Sequence, residues 1–226
     1  MLRNRKKPLR IVLPEAPEPV TIREKLALLA PRRPIEIVGP NLVRTSRLFM
    51  RPLTVDDRAT VIEALRASRN ELDEYMDLWK PGDSDQDVFE RQLELTRLGT
   101  KTSSSWRRGA FLEDGRLAGC FNLNKIEYGL AFSAEASWWV RTDLGRQGLG
   151  TEGVAAMMDY AIEDLPGGLR LSRVEAIMHP DNAQSRRLAM RVGMTLVEHE
   201  AVSAKLNGEW VTHVVYAKTP ALPRTA

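Results

Sequence analysis

The 226-residue chain has one cysteine, three histidines and no long apolar run, and each shortage removes a class of function. Cys120 alone cannot close an internal disulfide, which suits a reducing compartment, and the sequence is read as cytoplasmic. Its thiol lies in the strand-like residues 117–121 with no histidine nearby in sequence, so it reads as a buried, inert side chain. No pair of histidines or cysteines stands at ligand spacing, and no metal is expected. No stretch approaches the roughly 20 apolar residues of a membrane span, and the N-terminus lacks the apolar core of a signal peptide; no membrane partner is expected. An excess of one charge is missing too. The 33 Lys and Arg against 30 Asp and Glu leave only +3, which argues against a dedicated nucleic-acid binder.

What is present fits a soluble globular chain, 43% hydrophobic and 28% charged, for which one domain of about 170 to 180 residues is the natural expectation. That domain is placed at residues 41–219, with a short tail at 220–226. The first forty residues differ in composition. They hold seven of the thirteen prolines, and Arg3, Arg5, Lys6, Lys7 and Arg10 form a basic run. Residues 1–40 are therefore read as a Pro-rich basic arm with one short helix at 21–30, where Thr21 caps, Glu24 completes a capping box and Pro31 stops the helix. Two uses of the arm stay open: draping over the domain or a neighbouring subunit, which would make a homodimer, or reaching toward rRNA.

Along the domain, residues 42–53 read as a first strand closed by Pro52, and 56–68 as a helix capped by Thr54. Leu72, Tyr75, Met76 and Trp79 share one stripe of a second helix over 71–79; Pro81-Gly82 breaks it and Ser84 starts a third. Asp114-Gly115 between residues 107–112 and 116–127 is a strong hairpin signal, and 134–141 follows as the next antiparallel strand. The order then becomes helix, strand, helix, strand, strand. Antiparallel strands followed by a βαβ crossover predict an α/β (α+β) fold, a mixed and mostly antiparallel sheet with helices on both faces.

The run Gly145-Arg146-Gln147-Gly148-Leu149-Gly150-Thr151-Glu152-Gly153 follows a strand and opens a helix with Val154, Met157, Met158, Ala161 and Ile162 on its apolar positions. Glycines let backbone approach a ligand, and the unpaired N–H groups and positive dipole end of a helix start attract phosphate. An anion-bearing ligand belongs there. Gly148, Gly150 and Gly153 also satisfy G-x-G-x-x-G, but the next strand ends in His179-Pro180-Asp181-Asn182 without the ribose-binding acid that a dinucleotide fold requires.

With Arg47-Leu48-Phe49-Met50-Arg51-Pro52-Leu53 at the start, Arg173-Val174-Glu175-Ala176, Asn182-x-x-Ser185, Arg191-Val192-Gly193-Met194 and the closing segment from Gly208-Glu209-Trp210-Val211 to Tyr216-Ala217, the chain resembles the GNAT superfamily of acyl-coenzyme A dependent N-acyltransferases, most closely its RimJ/RimL-like branch. The resemblance implies a GNAT fold in which the two strands around the glycine loop splay apart and hold acyl-coenzyme A. It implies acetyl-coenzyme A as cosubstrate, bound by Trp139, Val140 and Arg141 on the strand end, by Arg146, Gln147, Gly148, Leu149, Gly150 and Thr151 in the loop, and by Asn182. Ser185 would protonate the leaving sulfur. The loop departs from the family pattern at Gly145, where Arg or Gln is usual.

Read from the residues, Asp181 or Asn182 is equally a cap for the helix that follows, and Ser185 a surface side chain. The general base is the weak point. The branch has a glutamate where this chain has Ala204, and Glu135 is the chosen substitute, with Glu175, Glu198, His199 and Glu200 as further candidates. His179 and His213 read as structural. Trp138, Trp139, Trp79 and Tyr75 are either acceptor-pocket walls or core. The acidic stretch Glu71, Asp73, Glu74, Asp77, Asp83, Asp85 and Asp87 either steers a cationic amine or is a solvated surface. The function expected is acetyl transfer to a primary amine, a protein N-terminal α-amine as in ribosomal proteins; a small-molecule amine such as an antibiotic or polyamine, and a non-catalytic acyl-coenzyme A-binding module, are the alternatives.

Overall fold

The computed structural model describes residues 36–37 and 41–220, except 164, 166 and 207. The chain divides into Met1–Arg33 and Pro34–Ala226; the arm's short helix and all but the first residue of the tail lie outside the described residues.

Among the described residues, nine strands form one sheet in the order β1-β2-β3-β4-β5-β6-β7-β9-β8. They are β1 Glu36–Ile37, β2 Val43–Arg44, β3 Phe49–Arg51, β4 Trp106–Phe111, β5 Leu117–Glu127, β6 Ser133–Val140, β7 Arg173–Met178, β8 Thr195–Leu206 and β9 Glu209–Lys218. Every neighbouring pair is antiparallel except β6 with β7. That parallel pair is short. It joins Ser133, Ala134 and Glu135 to Arg173, Val174 and Glu175, after which β6 runs on to Val140 against β5 and β7 to Met178 against β9. The two strands part, as the splayed pair expected from the sequence requires.

Among the described residues five α-helices cover the sheet: α1 Arg58–Ala67, α2 Arg69–Tyr75, α3 Asp85–Thr102, α4 Leu149–Ile162 and α5 Ala183–Arg191. Alternation along each strand sends its residues to two cores. On one face Phe121, Leu123, Ala136 and Val174 pack with Val154, Met157 and Met158 of α4. On the other, Leu117, Cys120 and Trp139 pack with Val61 and Leu65 of α1 and with Val88 and Phe89 of α3. Burial pushes the Cys120 thiol up to about 12, so it is an inert core group.

Local signals in the sequence act where expected. Ser84 caps α3 in a capping box with Asp87, and the Asp114-Gly115 turn closes with Gly115 N–H donating to the Leu112 carbonyl at 3.0 Å and φ +85° at Gly115. Two expectations need correction. Residues 42–53 are two short strands, β2 and β3, folded back on each other through Val43–Met50 and Arg44–Phe49 pairs. The second helix ends at Tyr75; Trp79 lies beyond it, buried against Leu72, with Arg69 stacked 3.8 Å over its ring and its Nε1–H donating to Asp85 at 3.2 Å. Those tertiary bonds hold the indole in place without a helical turn beneath it.

Candidate active site

The glycine loop enters α4 as the sequence demands. Gly148 is the N-cap with φ +79°, a left-handed conformation that a side chain would strain. Gly153 lies one turn on, where a Cβ would come 2.3 Å from the Phe121 ring, so α4 can approach β5 only because that position has no side chain. The helix start is anchored from the opposite end of the sequence. Glu152 accepts hydrogen bonds from Thr45 Oγ1 (2.6 Å), Ser46 Oγ (2.8 Å), and the backbone N–H (2.9 Å) and Nε (2.7 Å) of Arg47. Arg47 also donates to the Gln147 carbonyl at 2.8 Å. Burial alone would raise the Glu152 carboxyl, but the hydrogen bonds from Thr45, Ser46 and Arg47 and the Arg47 charge hold it below the ordinary carboxylate range. The turn at 45–48 between β2 and β3 is closed by its own residues, with Thr45 N–H donating to the Leu48 carbonyl and Leu48 N–H to Thr45 Oγ1, 2.9 Å each; the Glu152 bonding ties that turn to the start of α4, a link that local sequence could not reveal.

Above the loop lies a cleft of about 420 Å³. Val140, Arg146, Gly148, Leu149, Gly150 and Thr151 line it, as do Gln184, Arg187, Leu188 and Arg191 of α5. No carboxylate is among its lining residues, while three guanidinium groups are, and Arg191 reaches Thr151 Oγ1 at 3.3 Å. Gln184, Arg187, Leu188 and Arg191 form one helical stripe beginning two residues after Asn182, a periodicity that could have exposed them from sequence. The N-terminal N–H groups of α4 and these arginines together favour a phosphate-rich ligand.

The other sequence-selected residues sit around this cleft rather than on its lining. The Trp139 ring is buried in the core beside α1 and α3, Arg141 pairs with Glu63 and Asp143 at 2.7 Å each, and Gln147 turns its carbonyl to Arg47. Asn182 is the N-cap of α5, its Oδ1 accepting the Ser185 N–H at 3.0 Å. Ser185 Oγ, half-buried on that same first turn, makes no hydrogen bond among the described residues.

The gap between β6 and β7 opens just beyond Glu135 and Glu175. Glu135 is bound by Lys125 at 2.8 Å, and Glu175 by Arg173. Glu198, His199 and Glu200 are exposed, at the irregularity in β8 between Leu196 and Ala201. Of the acidic stretch, Asp73 pairs with Arg69, Asp83 with Arg91, Asp85 with Arg66 and Arg69, and Asp87 caps α3, so four of its seven carboxylates already have cationic or capping partners. At the end of β7, His179 stands between Tyr75 of α2 and His213 of β9, its ring centroid 5.9 Å from one and 5.8 Å from the other.

A mixed sheet whose parallel pair parts beside a glycine loop, with a cationic cleft at the opening, defines the class of acyl-coenzyme A transferases. The family model described as Acetyltransferase (GNAT) domain matches residues 47–195, and the chain belongs to that family; it is an acyltransferase. A curated relative, "Probable N-acetyltransferase YjcK" of Bacillus subtilis (strain 168), is 24% identical over 182 residues, 78% of this chain and 96% of its own. Among solved structures, one described as "a putative ribosomal-protein-serine acetyltransferase from Vibrio cholerae" superposes with a TM-score of 0.68 at 26% identity, covering 79% of this chain and 97% of that one. Mycobacterium smegmatis RimJ in complex with CoA-disulfide superposes with a TM-score of 0.67 at 20% identity, over 83% and 86% of the two chains.

Proposed function

We propose that this protein transfers the acetyl group of acetyl-coenzyme A to a primary amine, and that the acceptor is the N-terminal α-amine of a protein. The observation that carries this reading is the cationic cleft lying between the end of β6, at Val140, the first turn of α4 and the length of α5, beside the strand gap. The RimJ neighbour with bound CoA-disulfide supports the coenzyme, and the Vibrio cholerae neighbour supports a protein acceptor.

In this reading the backbone N–H groups of residues 148–151, with Arg146, Arg187 and Arg191, hold the coenzyme's phosphates. The pantetheine arm runs along the β6 end at Trp139, Val140 and Arg141, pairing with backbone groups other than the Arg141 N–H, which donates to the Ala118 carbonyl at 2.8 Å, and brings the thioester into the gap, toward Asn182 and Ser185. The neutral amine attacks the thioester carbon; a C–N bond forms, the C–S bond breaks, Ser185 Oγ–H supplies the proton to the departing thiolate, and the proton that the attacking nitrogen sheds returns to Ser185 Oγ. The Asn182 amide, whose oxygen is taken by the cap, offers its N–H groups to the coenzyme. No described helix is long and apolar enough to cross a membrane, which is compatible with work in the cytoplasm. The non-catalytic module remains the second reading, favoured by Ala204 and by Glu135 being held by Lys125.

The test is to incubate the protein with acetyl-coenzyme A and panels of peptides and small amines while following free thiol. Peptide-dependent thiol release is expected. Tight coenzyme binding without release for any acceptor would leave the module, release only with small amines would move the acceptor, and NAD binding as well as or better than acetyl-coenzyme A would remove the reading altogether.

A further inference from the structure

Acetylation at neutral pH needs a group that takes a proton from the incoming ammonium, and the carboxylates near the gap are poorly free to do so. Glu135 is bound to Lys125 and Glu175 to Arg173, and position 204 is an alanine. The two histidines beyond the end of β7 differ from these and from each other. His213 is 7% exposed, and its Nδ1 lies 2.9 Å from the Val211 carbonyl. A carbonyl only accepts, so Nδ1 carries the hydrogen and Nε2 is left with a lone pair. His179 has the opposite arrangement: its Nδ1 accepts the Asp181 backbone N–H at 3.1 Å, so in the neutral ring Nε2 carries the hydrogen. The Asp181 carboxylate is farther from that nitrogen, 3.8 Å, and 86% exposed; the closer backbone bond decides the tautomer.

The backbone therefore sets one ring as a proton acceptor and its neighbour as a donor, edge to face 5.8 Å apart. They face the α2 side of the sheet with Tyr75, whose hydroxyl is pushed above its ordinary value by its hydrogen bond to Glu74, by burial and by the charges of Glu74 and Asp181. Val202 pairs with His213 and Ala204 with Val211, so positions 202 and 204 share the His213 face and supply no titratable group. A donor beside an acceptor matches the carbonyl and amine of a peptide N-terminus. Resting on the acetyltransferase reading above, we infer that His213 is the general base and His179 the acceptor-recognising donor of this enzyme, which together read an α-amine next to a carbonyl. His213 Nε2 takes one proton from the ammonium through a water, freeing the nitrogen lone pair to attack the thioester carbon. His179 Nε2–H donates to the first carbonyl of the acceptor. When the C–S bond breaks, its electron pair leaves on sulfur, which takes the Ser185 proton; the second proton of the attacking nitrogen returns to Ser185 Oγ, and the His213 proton passes to solvent.

The experiment compares His213→Asn, whose amide N–H can still donate to the Val211 carbonyl, with His179→Phe, which keeps a ring against Tyr75. His213→Asn should melt like wild type and bind acetyl-coenzyme A unchanged, yet lose on the order of a hundred- to ten-thousand-fold in kcat with peptide acceptors. The loss should shrink for weakly basic amines that are already neutral at the assay pH. His179→Phe should raise KM for a peptide while sparing an alkylamine without a carbonyl. His213→Asn at wild-type kcat, or an equal loss with neutral and charged amines, overturns the base assignment while leaving the acetyltransferase reading intact. Wild-type protein that releases thiol with no acceptor overturns both.

Discussion

Asn182 and Ser185 show how one helix turn can carry two tasks. The Asn182 oxygen is used by the α5 cap, so the capping and coenzyme readings of this residue are compatible, the first using Oδ1 and the second the amide N–H groups. Ser185 offers its backbone to the cap and leaves its hydroxyl without a partner among the described residues. Ser185→Ala should therefore leave melting temperature and coenzyme affinity near wild type and lower kcat by about ten- to ten-thousand-fold, the range for a lost general acid. Single-turnover thiol release checks it, and a wild-type rate returns Ser185 to the surface. The spacing of these two residues was legible in the sequence. The histidine tautomers were not, because each is set by a backbone partner two residues away whose direction depends on the folded loop or strand.

At the scale of elements, the sequence was most informative where the signal is local. The capping box at Ser84 and the turn at Asp114-Gly115 are fixed by residues within three or four positions. The β2–β3 hairpin is the counterexample: its turn is closed locally by Thr45 and Leu48, but its place is set by Glu152, 105 or more positions away, and a run of mixed residues from 42 to 53 carries no trace of that partner. The same clamp ties the hairpin to the start of α4. Glu152→Gln should remove the charge that Arg47, itself 40% exposed, neutralises, and cost about 2 kcal/mol, in the range for hydrogen bonds to charged groups. Because Arg47 also holds the Gln147 carbonyl, KM for acetyl-coenzyme A should rise as well. Chemical denaturation and initial-rate assays read the two effects; a coenzyme KM unchanged in a destabilised variant would confine the clamp to folding.

For the whole molecule, the composition announced a balanced charge but not where its acids sit. Several are held by specific partners. For Asp57, burial pulls upward, yet hydrogen bonds from Arg51 and Thr54 hold it below the usual range. Asp85 is lowered first by Arg66, against burial, with Trp79 assisting, and Glu152 is lowered as described. Unfolded carboxyls titrate near about 3.9 for Asp and 4.3 for Glu. Groups with depressed folded values contribute stability that is fully present above those values and is lost as pH falls through the folded ones. The melting temperature should therefore be insensitive to these three groups from neutral pH down to about 5 and fall steeply below about 4. Replacing Asp57 with Asn should flatten that fall, and an unchanged slope would show that other acids dominate it.

The parting of β6 from β7 divides the sheet into two blocks, β1 to β6 and β7 with β9 and β8, whose direct backbone join is three residue pairs long. A pantetheine arm lying in the gap would act as a removable tenth strand, fastening block to block from within. Amide hydrogen exchange along residues 136–140 and 176–178 should then slow when coenzyme A is added, more than exchange in β4 and β5. The melting temperature should rise with coenzyme concentration, by the equivalent of about 2.7 kcal/mol at a hundred times Kd. The protein would be most open to exchange, and to the proteases that follow local opening, in the interval between releasing one coenzyme and taking up the next.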